Sequence, residues 1–453
     1  LQQLNDPDLI ALASEIREQV HEDYFLAGTV EKGVAYHVGY LPTSIRLRIE
    51  ELFRKRDGGI HTIFCTSTLL EGVNLPADNL FITDYKNGSY PMSAVEFRNL
   101  IGRVGRIQYT LYGNVFLVCL ADDDKTKPEN YVTLLKKDVE PQTLSIISIS
   151  DKEKEYVLDC LRKGKTRLEK LSDQTNEQFS LMRKAANILL REIMLDRRGR
   201  ISREFETEMT ANDPALIKEM FTGRKNEPDD DINVSVDQVD RVVAAIEAGL
   251  DYPKVNIYGY VGFQPTLQFL EGLCDAFDWE TYESSTLGHL NKDGKHSNLR
   301  FYATLLTQWL TGNGIKYMID QAISYKQGKN IYIDGESKPF DDGEEHRNKV
   351  IEDTLNNVND IILFRLSNYF MRFSTELKKY NRRDYLSNDW YEFVEYGTTN
   401  KICILLQKNG FSPETATYIQ KHENLYIVRT DEGVKVLPSL LQCERASVRD
   451  EAK

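Results

Sequence analysis

Cysteine is sparse in this 453-residue chain. The six, Cys65, Cys119, Cys160, Cys274, Cys403 and Cys443, are scattered, and none forms a Cys-x-x-Cys pair. That spacing argues against a zinc site or a disulfide framework and suits reduced thiols in a cytosolic protein. No apolar run approaches the ~20 residues that a membrane-spanning helix needs. The first residues, LQQLNDPDLIALASEI, lack the basic start and continuous apolar core of a signal peptide. There is no initiator Met either, so the chain reads as if cut from something longer. Positive charge is not in excess: 57 Lys and Arg face 70 Asp and Glu, a net charge of −13. A surface-wide electrostatic footprint for nucleic acid is thereby excluded, and any such binding must use a local basic surface. Fixed-period repeats and low-complexity tracts are absent as well.

What is present changes character along the chain. Residues 1–125 alternate helix-like and strand-like segments. DPDLIALASEIREQV has helical spacing, with Asp6 as its N-cap. GVAYHVG reads as a short buried strand and PTSIRLRIEELFRKR as a helix that begins near Pro42. IHTIFCTS, NLFITDY and GNVFLVCLA are three more strands, and SAVEFRNLIGRVG is a helix that frays at its glycines. Apolar strands separated by helices predict a parallel sheet covered on both faces. Residues 126–230 turn helical, and NEPDDDINVS reads as an acidic linker or exposed loop. Residues 231–453 are mainly helical. They include a long periodic run over 347–380, a short strand pair within 329–346, and a closing helix-turn-helix broken at Asn409-Gly410.

Chemistry concentrates in two stretches. Strand HTIFCTS runs into TLLEGVNLPA, which places Thr66, Ser67 and Thr68 at a strand's carboxyl end, where open α/β sheets bind ligands. Hydroxyls and backbone N–H groups there can hold phosphate, and Gly72 and Asn74 follow. About thirty residues on, NLIGRVGRIQ carries Arg103 and Arg106 one helical turn apart. Arginine forks match phosphate oxygens two at a time.

Together, FCTSTLLEGVNLPADNLFI and EFRNLIGRVGR resemble motifs V and VI of superfamily 2 helicases, most closely the Ski-type DExH-box group. GVAYHVGYLPTSIRLRIEELF is similar to that group's motif IV region. The three motifs occur in the family's order and cover residues 33 to about 120. The resemblance implies an α/β RecA-like domain with a parallel sheet, followed by winged-helix and helical-bundle domains. It implies that Arg103 and Arg106 are arginine fingers, with Gly102 and Gly105 as the glycines between them. Gly72, Asn74 and Asn99 would face nucleotide. Thr66, Ser67 and Thr68, with His37 and Gly39, would touch the nucleic-acid backbone. ATP and Mg²⁺ are the implied cofactors. Single-stranded or partly duplex nucleic acid, DNA or RNA, is the implied partner, with no membrane. The motif wording is also similar to bacterial antiviral-defence helicases such as the Hachiman helicase subunit, which would add a defence effector as partner.

The sequence departs from the pattern in places. Asn99 stands where the group usually has Gln, Val38 replaces a frequent second His, and Glu71 fills a position that is often small or basic. The phosphate loop and DExH box that such an enzyme needs are not found. Gly164-Lys165-Thr166 follows no apolar strand and comes after motif VI, and it reads as a solvated helical stretch. The resemblance therefore implies the C-terminal half of a helicase whose first RecA-like domain lies outside this chain. Two readings stay open: an ATP-dependent helicase or translocase, or an ATPase-dead scaffold that binds nucleic acid or protein. Asn87-Gly88, between the two motifs, signals a short hairpin or an ordinary surface turn. In the long helix, Tyr369, Phe370 and Phe373 read as core before they read as lining for nucleic acid.

Overall fold

The structure is a computed structural model, and it describes residues 3–55, 58–66, 77–87, 90–104, 113–119, 127–137, 149–430 and 433–452. They group into two compact units: residues 1–144 with 315–359, and residues 145–314 with 360–453.

The first unit begins with α1 (Pro7–Gln19), α2 (Phe25–Val30), β1 (Val34–His37) and α3 (Thr43–Phe53). Asp6 caps α1, as its position predicts: its carboxylate accepts the Asp8 N–H at 2.9 Å and the Gly59 N–H at 2.8 Å. The Gly59 and Asp8 bonds hold the Asp6 carboxyl below the usual carboxylate range. Leu9, Leu12, Ala13 and Ile16 of α1, and Ile45, Ile49 and Leu52 of α3, are buried. Their three- and four-residue spacing gives each helix one apolar stripe, and both stripes enter one core.

Then follow β2 (Thr62–Cys65), β3 (Asn79–Ile82), β4 (Lys86–Asn87), β5 (Tyr90–Pro91), α4 (Ala94–Ile101), β6 (Asn114–Leu117) and α5 (Pro128–Lys136). β1 pairs with β2 and β3 with β6, both parallel, as expected of an α/β domain. Among the described residues these are two separate parallel pairs rather than one sheet covered on both faces. Phe81 and Phe116 are register partners whose rings stack at 4.7 Å. They cover each other and remain 62% and 45% exposed. β4 and β5 pair antiparallel, so the Asn87-Gly88 signal is a short hairpin; Gly88 itself lies outside the described residues.

The division at residue 125 misses a long-range return. The helix Gly314–Lys326, the hairpin Asn330–Ile333 with Glu336–Pro339, and the helix Glu344–Asn357 supply Ile319, Ile323, Ile331, Phe340, Val350, Ile351 and Leu355 to the core of α1–α3. Polar ties reinforce it. Asn348 Oδ1 accepts the Phe25 N–H at 2.7 Å, and its Nδ2 donates to the Asp23 carbonyl at 2.8 Å. Asp334 and Gly335, both at positive φ, turn the hairpin.

The second unit is mainly helical. Its described residues from 149 to 314 contain helices and no strand. An aromatic cluster of Tyr252, Phe269, Phe370, Phe373 and Trp390 fills one core. The long periodic run is helix throughout: Glu344–Asn357, a π-helical segment Val358–Leu366, and Ser367–Asn381. Phe370 and Phe373 are fully buried, as the core reading requires. Tyr369 is half-buried, and its hydroxyl lies 3.1 Å from Glu283. The acidic stretch expected as a linker or exposed loop is a loop with Glu227, Asp229 and Asp230 exposed, and Asp229 accepts from the buried Arg372 at 2.6 Å. Near the end, helices Lys401–Lys408 and Pro413–Lys421 flank the Asn409-Gly410 break, and the hairpin Ile427–Thr430 with Gly433–Val436 follows.

Candidate nucleotide and nucleic-acid site

α4 is the element that delivers the Gly-Arg run. Ser93 caps it in a reciprocal box: Ser93 Oγ accepts the Glu96 N–H at 3.1 Å, and Glu96 accepts the Ser93 N–H at 2.7 Å. Phe97 anchors the helix in a small core with Ile82, Met92, Tyr131 and Leu134. Gly102 ends it, its N–H donating to the Arg98 carbonyl at 2.9 Å. A Cβ on Gly102 would come within 3.1 Å of that same carbonyl, so the glycine permits a close helix end. Arg103 follows directly and is half-buried, and Asn99 is exposed on the last turn.

The next residue fixes the position of this helix end. Val104 pairs in parallel with Ala77, just upstream of β3. The two residues belong to segments distant in sequence, and the bridge sets the last described residue of NLIGRV beside the end of TLLEGVNLPA. Thr66 lies just past β2, exposed, at a strand's carboxyl end. Gly39 lies in the turn after β1, which β2 pairs with. Ser67, Thr68, Gly72, Asn74, Gly105 and Arg106 lie outside the described residues.

The side chain of His37 turns into the domain. The ring is 2% exposed, and its Nε2 lies 3.0 Å from Oε1 of Glu50 on α3. A buried imidazole needs a polar partner, and Glu50, itself 7% exposed, supplies one from within the domain. The ring thus points inward rather than toward a nucleic-acid strand. Glu50 is the residue that sequence reading passes over here; its only signal is its place on the helix after the His-Gly element.

The Gly164-Lys165-Thr166 run was expected as a solvated helical stretch; it lies instead in the turn just past the helix Asp151–Arg162, with Gly164 and Thr166 buried. Asp237 accepts the backbone N–H groups of Thr166 at 2.5 Å and Arg167 at 2.8 Å, and Thr166 Oγ1 accepts the Asp237 N–H at 3.0 Å. A carboxylate of the protein already fills the place an anion would take. Among the described residues no group of three or more His, Cys, Asp or Glu could hold a metal ion, and no helix is long and apolar enough to cross a membrane.

Residues 2–108 match the family described as Helicase conserved C-terminal domain. Over 113 residues the chain is 36% identical to the ATP-dependent DNA helicase Hel308 of Methanocella arvoryzae, covering 24% of this chain and 15% of that protein. Over 119 residues it is 35% identical to mouse DNA polymerase theta, covering 26% and 4%. Over 114 residues it is 27% identical to Anti-bacteriophage protein B of Escherichia coli, covering 25% and 15%. The chain thus spans about 15% of the length of the helicase relatives it matches. The β1–β2 pair and the end of α4 fall within the matched stretch, and residues 2–108 are similar to the conserved C-terminal domain of helicases.

Proposed function

We propose that this chain is the C-terminal half of an ATP-dependent helicase or translocase of the Ski-type DExH-box group, acting on DNA. The observation that carries this reading is the pairing of Ala77 with Val104, which draws the hydroxyl-rich loop's end and Arg103 together. ATP and Mg²⁺ would be held mainly by a first RecA-like domain, which supplies the phosphate loop and the acidic box. Arg103 and Arg106 would reach across to the phosphates. A fork aimed at a γ-phosphate stabilises charge that spreads over its oxygens during transfer, and such residues are worth roughly 10³–10⁵ in rate. Gly72 and Asn74, with Gly102, Gly105 and Asn99, would shape the nucleotide side of the cleft. Thr66, Ser67, Thr68 and the turn at Gly39 would hold the strand's phosphates. Closure of the cleft would then step the protein along it.

DNA is favoured over RNA because the relatives' names speak of a DNA helicase and a DNA polymerase. The likeness to Anti-bacteriophage protein B supports a role in antiviral defence. In the full-length protein, Arg106→Ala is expected to abolish ATP hydrolysis while DNA affinity stays within about twofold, measured by phosphate release and fluorescence anisotropy. Turnover at the wild-type rate would refute the finger assignment. The 453-residue chain alone is expected to show no DNA-stimulated hydrolysis.

A further inference from the structure

Three turns of the second unit meet at one surface. The first, residues 252–260, ends in a tight turn whose tip is built rather than loose. Asn256 Oδ1 accepts the N–H groups of Tyr258 and Tyr260, both at 2.9 Å, and the Asn256 N–H donates to the Tyr260 carbonyl at 3.0 Å. Gly259, at φ +82°, makes the turn, and its carbonyl accepts Thr399 Oγ1 at 2.7 Å. The second turn, residues 382–389, is tied to the first by Asn388 Nδ2, which donates to the Pro253 carbonyl at 3.1 Å. The third turn, residues 397–400, leads into the helix Lys401–Lys408, and Lys401 at the start of that helix joins it to the second: its Nζ lies 3.3 Å from Tyr385 Oη.

The tip spends its hydrogen bonds on presenting rings to solvent. Tyr258 is 76% exposed, Tyr260 53% and Tyr385 59%. Burial is the default for large aromatics, so three exposed tyrosines on mutually tied turns form a face that wants a flat partner. Lys254, Arg383 and Lys401 are exposed on or beside the same three turns, against acidic Asp251 and Asp384. In a chain of net charge −13, this is a local basic surface with aromatic residues interleaved.

We propose that this face is a binding platform for single-stranded nucleic acid, with Tyr258 and Tyr260 stacking on bases and Lys254, Arg383 and Lys401 on phosphates. Tyrosine rings accept any base, and the cations follow the backbone. The platform is separate from the α4 site and rests on the reading that the chain handles nucleic acid. It would bind without sequence preference and with marked salt dependence.

The test uses the 453-residue chain and a fluorescein-labelled oligothymidylate, read by anisotropy across a salt series. Tyr258→Ala with Tyr260→Ala is expected to weaken binding roughly tenfold or more, and the double Phe variant to retain it. Lys254→Ala with Lys401→Ala is expected to flatten the logarithmic salt slope by about 1.4. Photocrosslinking with 5-iodouracil is expected to mark Tyr258 or Tyr260. Wild-type affinity in the Ala variant, with no crosslink there, would overturn the platform while leaving the proposed helicase function standing. No binding by the wild-type chain would overturn the platform and remove the DNA contacts of that function together. Retention of DNA binding with loss of a captured protein partner would assign the face to protein and overturn it also.

Discussion

Asp213 is a carboxylate that the fold keeps ionised. Arg162 grips both its oxygens, with Nε at 2.9 Å and Nη2 at 2.8 Å, and the Thr210 N–H donates to it at 2.7 Å. The Arg162 fork is the main cause holding its carboxyl down at about 2, against an ordinary 3.8. A depressed folded-state pKa means the pair stabilises fully above pH 3.8 and loses its contribution as pH falls through about 2. Asp213→Asn removes the carboxylate that Arg162 grips with two nitrogens and leaves it only Glu155, at 2.9 Å, and the expected cost at pH 7 is about 2 kcal/mol. Thermal melts of variant and wild type should therefore differ most at neutral pH and converge between pH 4 and 2; a gap constant with pH would show that the charge is not what stabilises. The two residues are 51 positions apart and neither sits in a motif, so nothing in the sequence marks them. The pairing of His37 with Glu50, 13 positions apart, was hidden for another reason: a glutamate on a helix carries no local sign that it is buried. The Gly-Arg run stands out in the sequence, because its arginines and glycines are close neighbours.

At the level of elements, α4 matters for where it ends. Its capping box fixes its first turn, Phe97 fixes its face, and together they set where Gly102 and Arg103 leave it. Ser93→Ala removes the cap and should cost about 1 kcal/mol of helix stability. Amide exchange in α4 is expected to quicken about fivefold, with ATP turnover in the full-length protein falling while DNA affinity holds. Unchanged exchange in α4 would mean the box is not what orders the helix. Elements with local signals were readable in advance: the Asp6 cap, a short strand pair within 329–346 and the break at Asn409-Gly410, while Asn87-Gly88 left a hairpin and a surface turn both open. The π-helical segment Val358–Leu366 was not, since its apolar positions, Val358, Ile362 and Leu366, recur at helical intervals. Only the backbone hydrogen bonding separates the two helix types.

For the whole molecule, the informative feature is the return of residues 315–359 to the first unit. Composition places that stretch in the downstream helical half, and its apolar residues show only that it has a face to bury. Which core receives that face is a long-range choice that periodicity does not encode. Ile351 states the consequence. It is fully buried in the core that holds Leu9, Leu12 and Ile16 of α1. Ile351→Ala removes methyl groups and leaves a cavity, a loss of about 2–5 kcal/mol. That loss should fall on the unit to which the residue belongs. Amides of α1 and α2, remote in sequence, are expected to lose about 30-fold or more in protection. Those of the helix Asn176–Met194, whose buried Phe179, Met182 and Leu189 belong to a distinct core, are expected to keep most of theirs. Hydrogen exchange read by mass spectrometry checks both at once. Equal loss in the two cores would show one cooperative body, and loss confined to residues near 351 would show that the return does not stabilise the domain of α1–α3. The measurement therefore decides whether a fragment holding residues 1–144 alone could stand as that domain, and the packing of Ile351 predicts that it could not.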